Sequence, residues 1–521
     1  MEGYADGVID FAAAVSDDGT ATGAAVKPEA LDTAPDGTKS PNNLYYETLA
    51  QQYVLDSDSV DGITGDGEVT GGDDLYPVAE WALNATGADT GAGTGDPAAP
   101  AYHDAALTDV SWSPGQQVDY QAGKFNGSSS YADLALPLNT ARSFTVAAWV
   151  RVTDKSADRV ILTRNATGNA SMTFQYRKSD DKWVVVMPSA TSGDNIAMPT
   201  AISDAVAKTG VWTHLAAVYD ASVNSLDLYV NGDSQTGADA VTPFNDPDGA
   251  TWLGRSRSNW FAGDITDARV WVRALGDAEV QAEARPATPM VNWQFEDQSL
   301  PTTATDSSPR SDADLLAPGT FSGGVTYKQE GHPSPDGDSG GIDTDRGAIT
   351  LDGTTGAVST RARVRTDQSF TVASWARITN TTRDQTTISQ YGTHASGFQL
   401  GFGTTCKCWK VSLPATDAAN PTTITVQSTT AAAINTWTHV AAVYDAGAGT
   451  LQLYVNGVGT AAAPVPARTW NATGPFTTGR ALRNDAAAEY FAGDIDDVYA
   501  YQQALTTDEV DNLRRKEAPQ G

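Results

Sequence analysis

The chain has 521 residues and is strongly acidic, with 64 Asp and Glu against 33 Lys and Arg and a net charge of −31. Such a charge repels phosphate backbones and anionic lipid headgroups, so nucleic acid and membrane surfaces are excluded as natural partners and solubility outside a cell is favoured. The 40% apolar content can build cores, the length fits about three domains, and no apolar run approaches the roughly 20 residues that span a bilayer.

No basic-then-apolar leader follows Met1, so a mature or excised piece of a longer secreted protein is expected. The abundance of Ala, Gly, Thr and Asp with little Lys points to a bacterial gene of high GC content. Residues 1–74 form an acidic segment, short β or irregular. Within it, residues 30–47 resemble the closing strands of an immunoglobulin-like module; a flexible acidic leader is the other reading. Residues 61–73, D-G-I-T-G-D-G-E-V-T-G-G-D, resemble half of a dockerin-type calcium loop, but Gly62 and Thr64 stand where oxygen ligands belong.

From residue 75 the chain says one thing twice, which sets domains at 75–286 and 287–517. The copies open at Y-P-V-A-E-W-A-L-N (76–84) and T-P-M-V-N-W-Q-F-E (288–296), each an alternating strand with one tryptophan. Polar stretches follow, then K-F-N-G at Lys124 and T-L-D-G at Thr350. R-S-F-T-V-A-A-W-V-R-V (142–152) matches Q-S-F-T-V-A-S-W-A-R-I (368–378), and Phe144, Val146, Ala148, Val150 and Val152 share one face of a strand. W-T-H-L-A-A-V-Y-D-A at Trp212 and W-T-H-V-A-A-V-Y-D-A at Trp437 lead into L-D-L-Y-V-N-G and L-Q-L-Y-V-N-G. Asn231-Gly232 and Asn456-Gly457 are hairpin turns, because both central positions of a type I′ turn need φ > 0. Each copy closes with F-A-G-D-I-T-D-A-R-V or F-A-G-D-I-D-D-V-Y-A, then a short helix over residues 274–285 or 504–516, the second with Thr506 and Glu509 at capping-box spacing.

The two cysteines, Cys406 and Cys408, would lie ~6.5–7 Å apart in a strand, near the limit for a bridge. A local disulfide, two free thiols and a bridge to a missing segment are all open.

Many short strands with regular turns and almost no helix make an all-β chain of two tandem antiparallel β-sandwiches or jelly rolls. These strands, the L-x-L-Y-V-N-G hairpin and G-D-I-D-D-V followed by A-L-x-x-D-E-V resemble the laminin-G-like, concanavalin A-like module of secreted bacterial proteins. The resemblance covers most of the chain. It implies two sheets packed face to face and a role in binding glycans or proteins, with the ligand unnamed.

The copies share Asp264 and Asp494, and three residues on Asp267 and Asp497. Aspartate is depleted in strands. One reading is a structural calcium site at each sandwich rim, joined by Asn126 and Asp352 from the matching strand ends; the other is hydrogen bonding to turns, or plain solvation. The matched His214 and His439 lack a catalytic or metal-binding partner by motif and read as packing residues, as do Trp149, Trp212, Trp375 and Trp437. Trp260 and Tyr490, ahead of the closing strands, are candidates for a sugar-stacking platform. The N-x-[ST] sequons at Asn84, Asn165 and Asn471 read as incidental. No paired-carboxylate strand motif, G-x-S-x-G, H-E-x-x-H or P-loop occurs, so no catalytic residue is assigned. The expected function is non-catalytic extracellular binding of a glycan or cell-surface polymer; the alternative is a spacer or protein-docking stalk of a larger secreted toxin, fibre or enzyme.

Overall fold

The computed structural model describes residues 31–33, 39–41, 77–89, 103–285, 288–296, 302–310, 313–333, 347–468 and 470–515. The chain divides into two compact units, Met1–Val78 and Ala79–Gly521. In the first, Leu31–Thr33 pairs antiparallel with Lys39–Pro41, inside the stretch that resembles an immunoglobulin-like module. The calcium-loop resemblance at 61–73 lies outside the described residues.

Ala79–Gly521 holds two sandwiches, each of two antiparallel sheets. Among the described residues, the larger sheet of the first runs in the order Ser225–Val230, Thr213–Asp220, Phe144–Val152, the closing strand Ala262–Trp271, Gln121–Asn126 and Ser111–Pro114. The opposing sheet is built on Thr200–Ile202, Lys182–Val186, Met172–Arg177, Arg159–Arg164, Thr251–Leu253 and Tyr131–Asp133. The second sandwich repeats the plan around Thr450–Val455, Thr438–Asp445, Phe370–Ile378, its closing strand Ala492–Tyr501 and Ala348–Asp352.

The alternating set from Phe144 to Val152 faces the core as expected, each member at most 2% exposed. The opposite face is also covered at the start of that strand. Helix Asp277–Ala284 lies there, packing Leu275 and Val280 with Trp271 on Ala147, Ala216, Val218 and Tyr229. Thr507–Arg515 does the same in the second sandwich through Leu505, Val510 and Leu513. Its capping box forms: Thr506 N donates to Glu509 Oε2 at 2.6 Å, and Glu509 N to Thr506 Oγ1 at 3.3 Å. Trp81 and Trp293 are fully buried, and their indole N–H groups donate to the carbonyls of His103 and Ala317.

Both Asn-Gly turns take the expected conformation, with φ of 53° and 86° at Asn231 and Gly232, and 51° and 78° at Asn456 and Gly457. Each asparagine also accepts, at 2.9 Å, the backbone N–H of the histidine in the adjacent strand, His214 or His439. Cys406 and Cys408 form a disulfide with Cα atoms 5.1 Å apart. The separation is shorter than a strand would give because residues 404–407 are a turn, with Lys407 at φ 53°.

Each closing strand has two neighbours on one edge. Ala262–Ile265 pairs with Gly123–Asn126, then Ala268–Val270 pairs with Ala79–Trp81. On the other edge the register against Phe144–Val152 shifts between Thr266 and Arg269. Asp267 sits in this bulge at φ 48°, and Asp497 in the second copy at φ 46°. Aspartate is among the few residues that enter the left-handed region at modest cost.

The sandwiches meet through polar contacts. Gln368 accepts from Trp212 N at 2.9 Å and donates to Gly210 O at 3.1 Å. Arg365 donates to the carbonyls of Pro114 and Gly115, and the buried Arg363 pairs with Asp119 at 3.2 Å.

Gly263 and Gly493 precede the paired aspartates at φ 151° and 144°. A Cβ at Gly263 would lie 2.1 Å from the carbonyl oxygen of Arg151, and one at Gly493 equally close to that of Arg377. Gly263→Ala should therefore destabilise the fold by about 2 kcal/mol or more in chemical denaturation; an unchanged midpoint would contradict this packing.

Candidate functional site

The two aspartates of each closing strand have different work. Asp264 is 2% exposed, accepts from Ser113 Oγ at 2.5 Å, and pairs with Arg151 Nε at 2.8 Å. Asp494 is 4% exposed, accepts from Thr350 Oγ1 at 2.5 Å, and pairs with Arg377 and, at 3.6 Å, with Lys328. Each arginine also lies over a matched tryptophan, Arg151 over Trp212 at 5.0 Å and Arg377 over Trp437 at 5.4 Å. The first aspartate thus locks the two central strands through a buried, hydrogen-bonded ion pair.

Asn126 and Asp352 cap turns. Asn126 Oδ1 accepts the backbone N–H groups of Ser128, Ser129 and Ser130, and Asp352 Oδ1 those of Thr354, Thr355 and Gly356. Desolvation pushes the Asp352 carboxyl up, but the N–H groups of Thr355, Thr354 and Gly356 outweigh it and hold the group well below the usual carboxylate range.

These arrangements do not fit a calcium cage. The oxygens of Asn126, Asp264, Asp352 and Asp494 are committed to arginines, hydroxyls and turn amides, and Asp267 and Asp497 sit on the bulge. Among the described residues no three His, Cys, Asp or Glu side chains are grouped to hold a metal ion. A chelator should accordingly leave the melting temperature unchanged in calorimetry; a fall reversed by added calcium would contradict this reading.

The second aspartates face a different environment. Where the neighbours of the first closing strand part, over the bulge, a cleft of about 530 Å³ opens, lined by Glu80, Gln116, Tyr120, Trp149, His214, Thr266, Asp267, Arg269 and Glu283. Burial pushes the Asp267 carboxyl up to about 6; Arg269 works against this, while Glu80 and Glu283 add to it. Arg269 itself is engaged by Glu80 at 2.8 Å and by Glu283. Burial, helped by Arg269, pushes His214 down to about 3, so its ring is neutral. His214 and Trp149 meet edge to face at 5.4 Å.

In the second sandwich the same place is filled. His332, on the connection after Val325–Lys328, stacks on Trp375 at 4.2 Å and 13°. Its Nε2 lies 2.8 Å from Asp497 Oδ2, and its backbone N donates to Asp496 Oδ2 at 3.1 Å. Sequence comparison missed His332 because the first copy has no histidine there; its turn at 115–120 is far shorter than the connection at 329–347.

Both sandwiches carry a groove on the outer face of the smaller sheet. Buried Met172, Phe174 and Tyr176 alternate with Thr173 and Gln175, which face away from the core. They floor a groove of about 330 Å³ whose walls include Asn165, Asn169, Met198 and residues 256–259. The matching groove of about 290 Å³ runs across Gln399, Lys410, Ser412 and Thr425, with Asp384, Arg483 and Glu489 at its walls. Its charges are paired: Lys410 with Asp384 at 2.8 Å and Arg483 with Glu489 at 2.9 Å.

Trp260 and Tyr490 stand just after these walls and line neither groove. Both are half-buried against an arginine. Arg255 lies 5.7 Å from the Trp260 ring and also over Trp252 and Tyr131, and Arg480 lies 5.9 Å from Tyr490. The matched Trp212 and Trp375 are buried as expected, whereas Trp149, at the cleft, and Trp437 are half-buried.

Two antiparallel sheets face to face, built twice, define a tandem jelly-roll protein. Residues 126–281 and 352–511 match the model of the concanavalin A-like lectin/glucanases superfamily, and the chain belongs to this family. Among solved structures, it is similar to domain 4 of an extracellular arabinanase of Geobacillus stearothermophilus in complex with arabinotriose, at 18% identity over 44% of this chain and 98% of that one, with a TM-score of 0.32. It is also similar to a pentraxin of Limulus polyphemus, at 15% identity over 36% and 81% of the two chains and a TM-score of 0.27. A carbohydrate-binding module of a Ruminococcus gnavus sialidase, bound to sialyllactose, matches at 19% identity over 28% and 82%, with a TM-score of 0.25. No curated protein matches the sequence.

Asp267→Asn keeps a residue that tolerates the left-handed bulge. With its folded pKa raised above the unfolded value of 3.8, Asp267 costs the wild type stability as pH rises from about 4 through 6. The variant escapes this loss. Its melting temperature should equal the wild type's near pH 3.5 and exceed it by roughly 2–5 °C at pH 7. A pH-independent difference would contradict the assignment.

Proposed function

We propose that the chain is a non-catalytic extracellular binding protein that holds a carbohydrate polymer in its two outer grooves. The observation that carries this reading is the repetition of a polar groove at the same place in both sandwiches, across Met172–Arg177 with Lys182–Val186 and across Ser396–Gly403 with Cys408–Pro414.

The first groove offers Asn165, Asn169, Gln175, Ser256 and Asn259, amide and hydroxyl groups that both donate and accept, as a sugar's hydroxyls do. Met198 and Pro188 supply apolar contact for ring faces. Asp158 is the sole carboxylate among the residues lining that groove, whereas glycoside hydrolysis by the common mechanism uses a pair. The Cys406–Cys408 disulfide is in keeping with an oxidising, extracellular setting. The contacts of Gln368, Arg365 and Arg363 across the junction hold the grooves at a set spacing, which favours a repeating polymer over a single sugar.

A glycan array followed by titration of the soluble polymer tests this. We expect saturable polymer binding with much weaker binding of short oligosaccharides. Gln175→Ala and Gln399→Ala should each weaken polymer binding by about tenfold or more, and together abolish it. Silence across polysaccharides with tight binding to a protein partner would instead favour the docking-stalk reading, and turnover of any polysaccharide would overturn the non-enzyme reading.

A further inference from the structure

The two copies differ most sharply over the closing-strand bulge. The floor is the same in both. Asp267 and Asp497 share the left-handed conformation, at φ 48° and 46°. Trp149 with His214 and Trp375 with His439 make the same edge-to-face contact, at 5.4 Å and 64° and at 5.5 Å and 61°. Beside this floor, Thr266 and Arg269 stand where the second copy has Asp496 and Tyr499, and the occupant differs. In the second sandwich an imidazole fills the space, stacked on the tryptophan with one ring nitrogen against the aspartate. In the first, the short turn at 115–120 supplies no such ring, the tryptophan is half-exposed and the cleft is open.

We propose that the cleft of the first sandwich is a binding site for an imidazole-class ring, stacked on Trp149 with a ring N–H donated to Asp267. The second sandwich supplies the template for this pose from the same chain. The lining is complementary to it. Glu80, Asp267 and Glu283 outnumber Arg269, so a donor or cation is favoured over an anion. His214 is 2% exposed and lines the cleft, and its Nδ1 is without a hydrogen-bond partner, as is that of His439 beneath the imidazole in the second sandwich, so the two histidines form the same floor. The cleft, at about 530 Å³, is larger than one ring. It has room for the chain on either side of a histidine; in the second sandwich the backbone N–H of His332 itself donates to Asp496. The site is independent of the polymer grooves, which lie on the opposing sheet.

Calorimetric titration of the full chain with two probes tests the site. One is imidazole; the other is the blocked pentapeptide Glu-Gly-His-Pro-Ser, which copies residues 330–334. We expect one molecule bound per chain. Replacing the peptide's histidine by alanine, or making Asp267→Asn or Trp149→Leu in the protein, should weaken binding at least tenfold. The control variant Asp497→Asn, in the filled site, should bind as the wild type does. Unfolding curves of both cleft variants establish that they fold, and either suffices. Tighter binding of the peptide than of imidazole would assign the ring to a partner chain, and equal binding to a free heterocycle. No saturable binding of either probe overturns the proposal, as does binding indifferent to both Asp267 and Trp149.

Discussion

The closing strand of each sandwich is shared by two neighbours along one edge, and a bulge reconciles them. Ala262–Ile265 hydrogen-bonds to one strand and Ala268–Val270 to another, so the chain must change register in between. That geometry accounts for the spacing of G-D-x-x-D. The glycine allows the backbone to approach Arg151 O, the first aspartate binds Arg151 and ties the central strands, and the second occupies the bulge. The sequence left two readings of the aspartates open, a shared calcium ion or hydrogen bonding to nearby groups. A change of backbone conformation separates them, and the first is satisfied by an arginine directly opposite it on the neighbouring central strand.

The framework was legible in the sequence because each part of it obeys a local rule. Alternation marked Phe144–Val152, Asn-Gly marked both hairpins, and Thr506 with Glu509 marked a helix start that the structure forms. The duplication then extended these signals to a whole sandwich. What could not be read were the long-range partners. Nothing adjacent to Asp264 in sequence announces Arg151, and nothing near Asp497 announces His332. Trp260 and Tyr490 read as candidate sugar platforms because they precede the closing strand; the structure places each beside an arginine, Arg255 or Arg480, which match each other between copies and each follow a Gly. The cysteines were read on strand spacing, whereas a four-residue turn draws them together.

Divergence between the copies is concentrated where loops meet the framework. The groove floors are paired strands in both sandwiches, but the wall ahead of the closing strand is a short turn at 256–259 in one and a two-stranded hairpin, Ala481–Arg483 with Ala486–Ala488, in the other. The first groove is rich in amides; the second holds two internal ion pairs. Loops vary more readily than the paired strands they connect, so the walls can differ while both sandwiches keep the same plan.

The bulge shows the same logic in its energetic form. A buried aspartate needs a donor, and the second sandwich meets that need within the chain, through a longer connection that carries His332 to Asp497. The first leaves its aspartate beside Arg269, which is already engaged by Glu80 and Glu283. Burial therefore keeps the Asp267 carboxyl hard to ionise, a cost that a bound donor would relieve. The aspartate stands in both copies, paired with an imidazole in one and facing a cleft in the other.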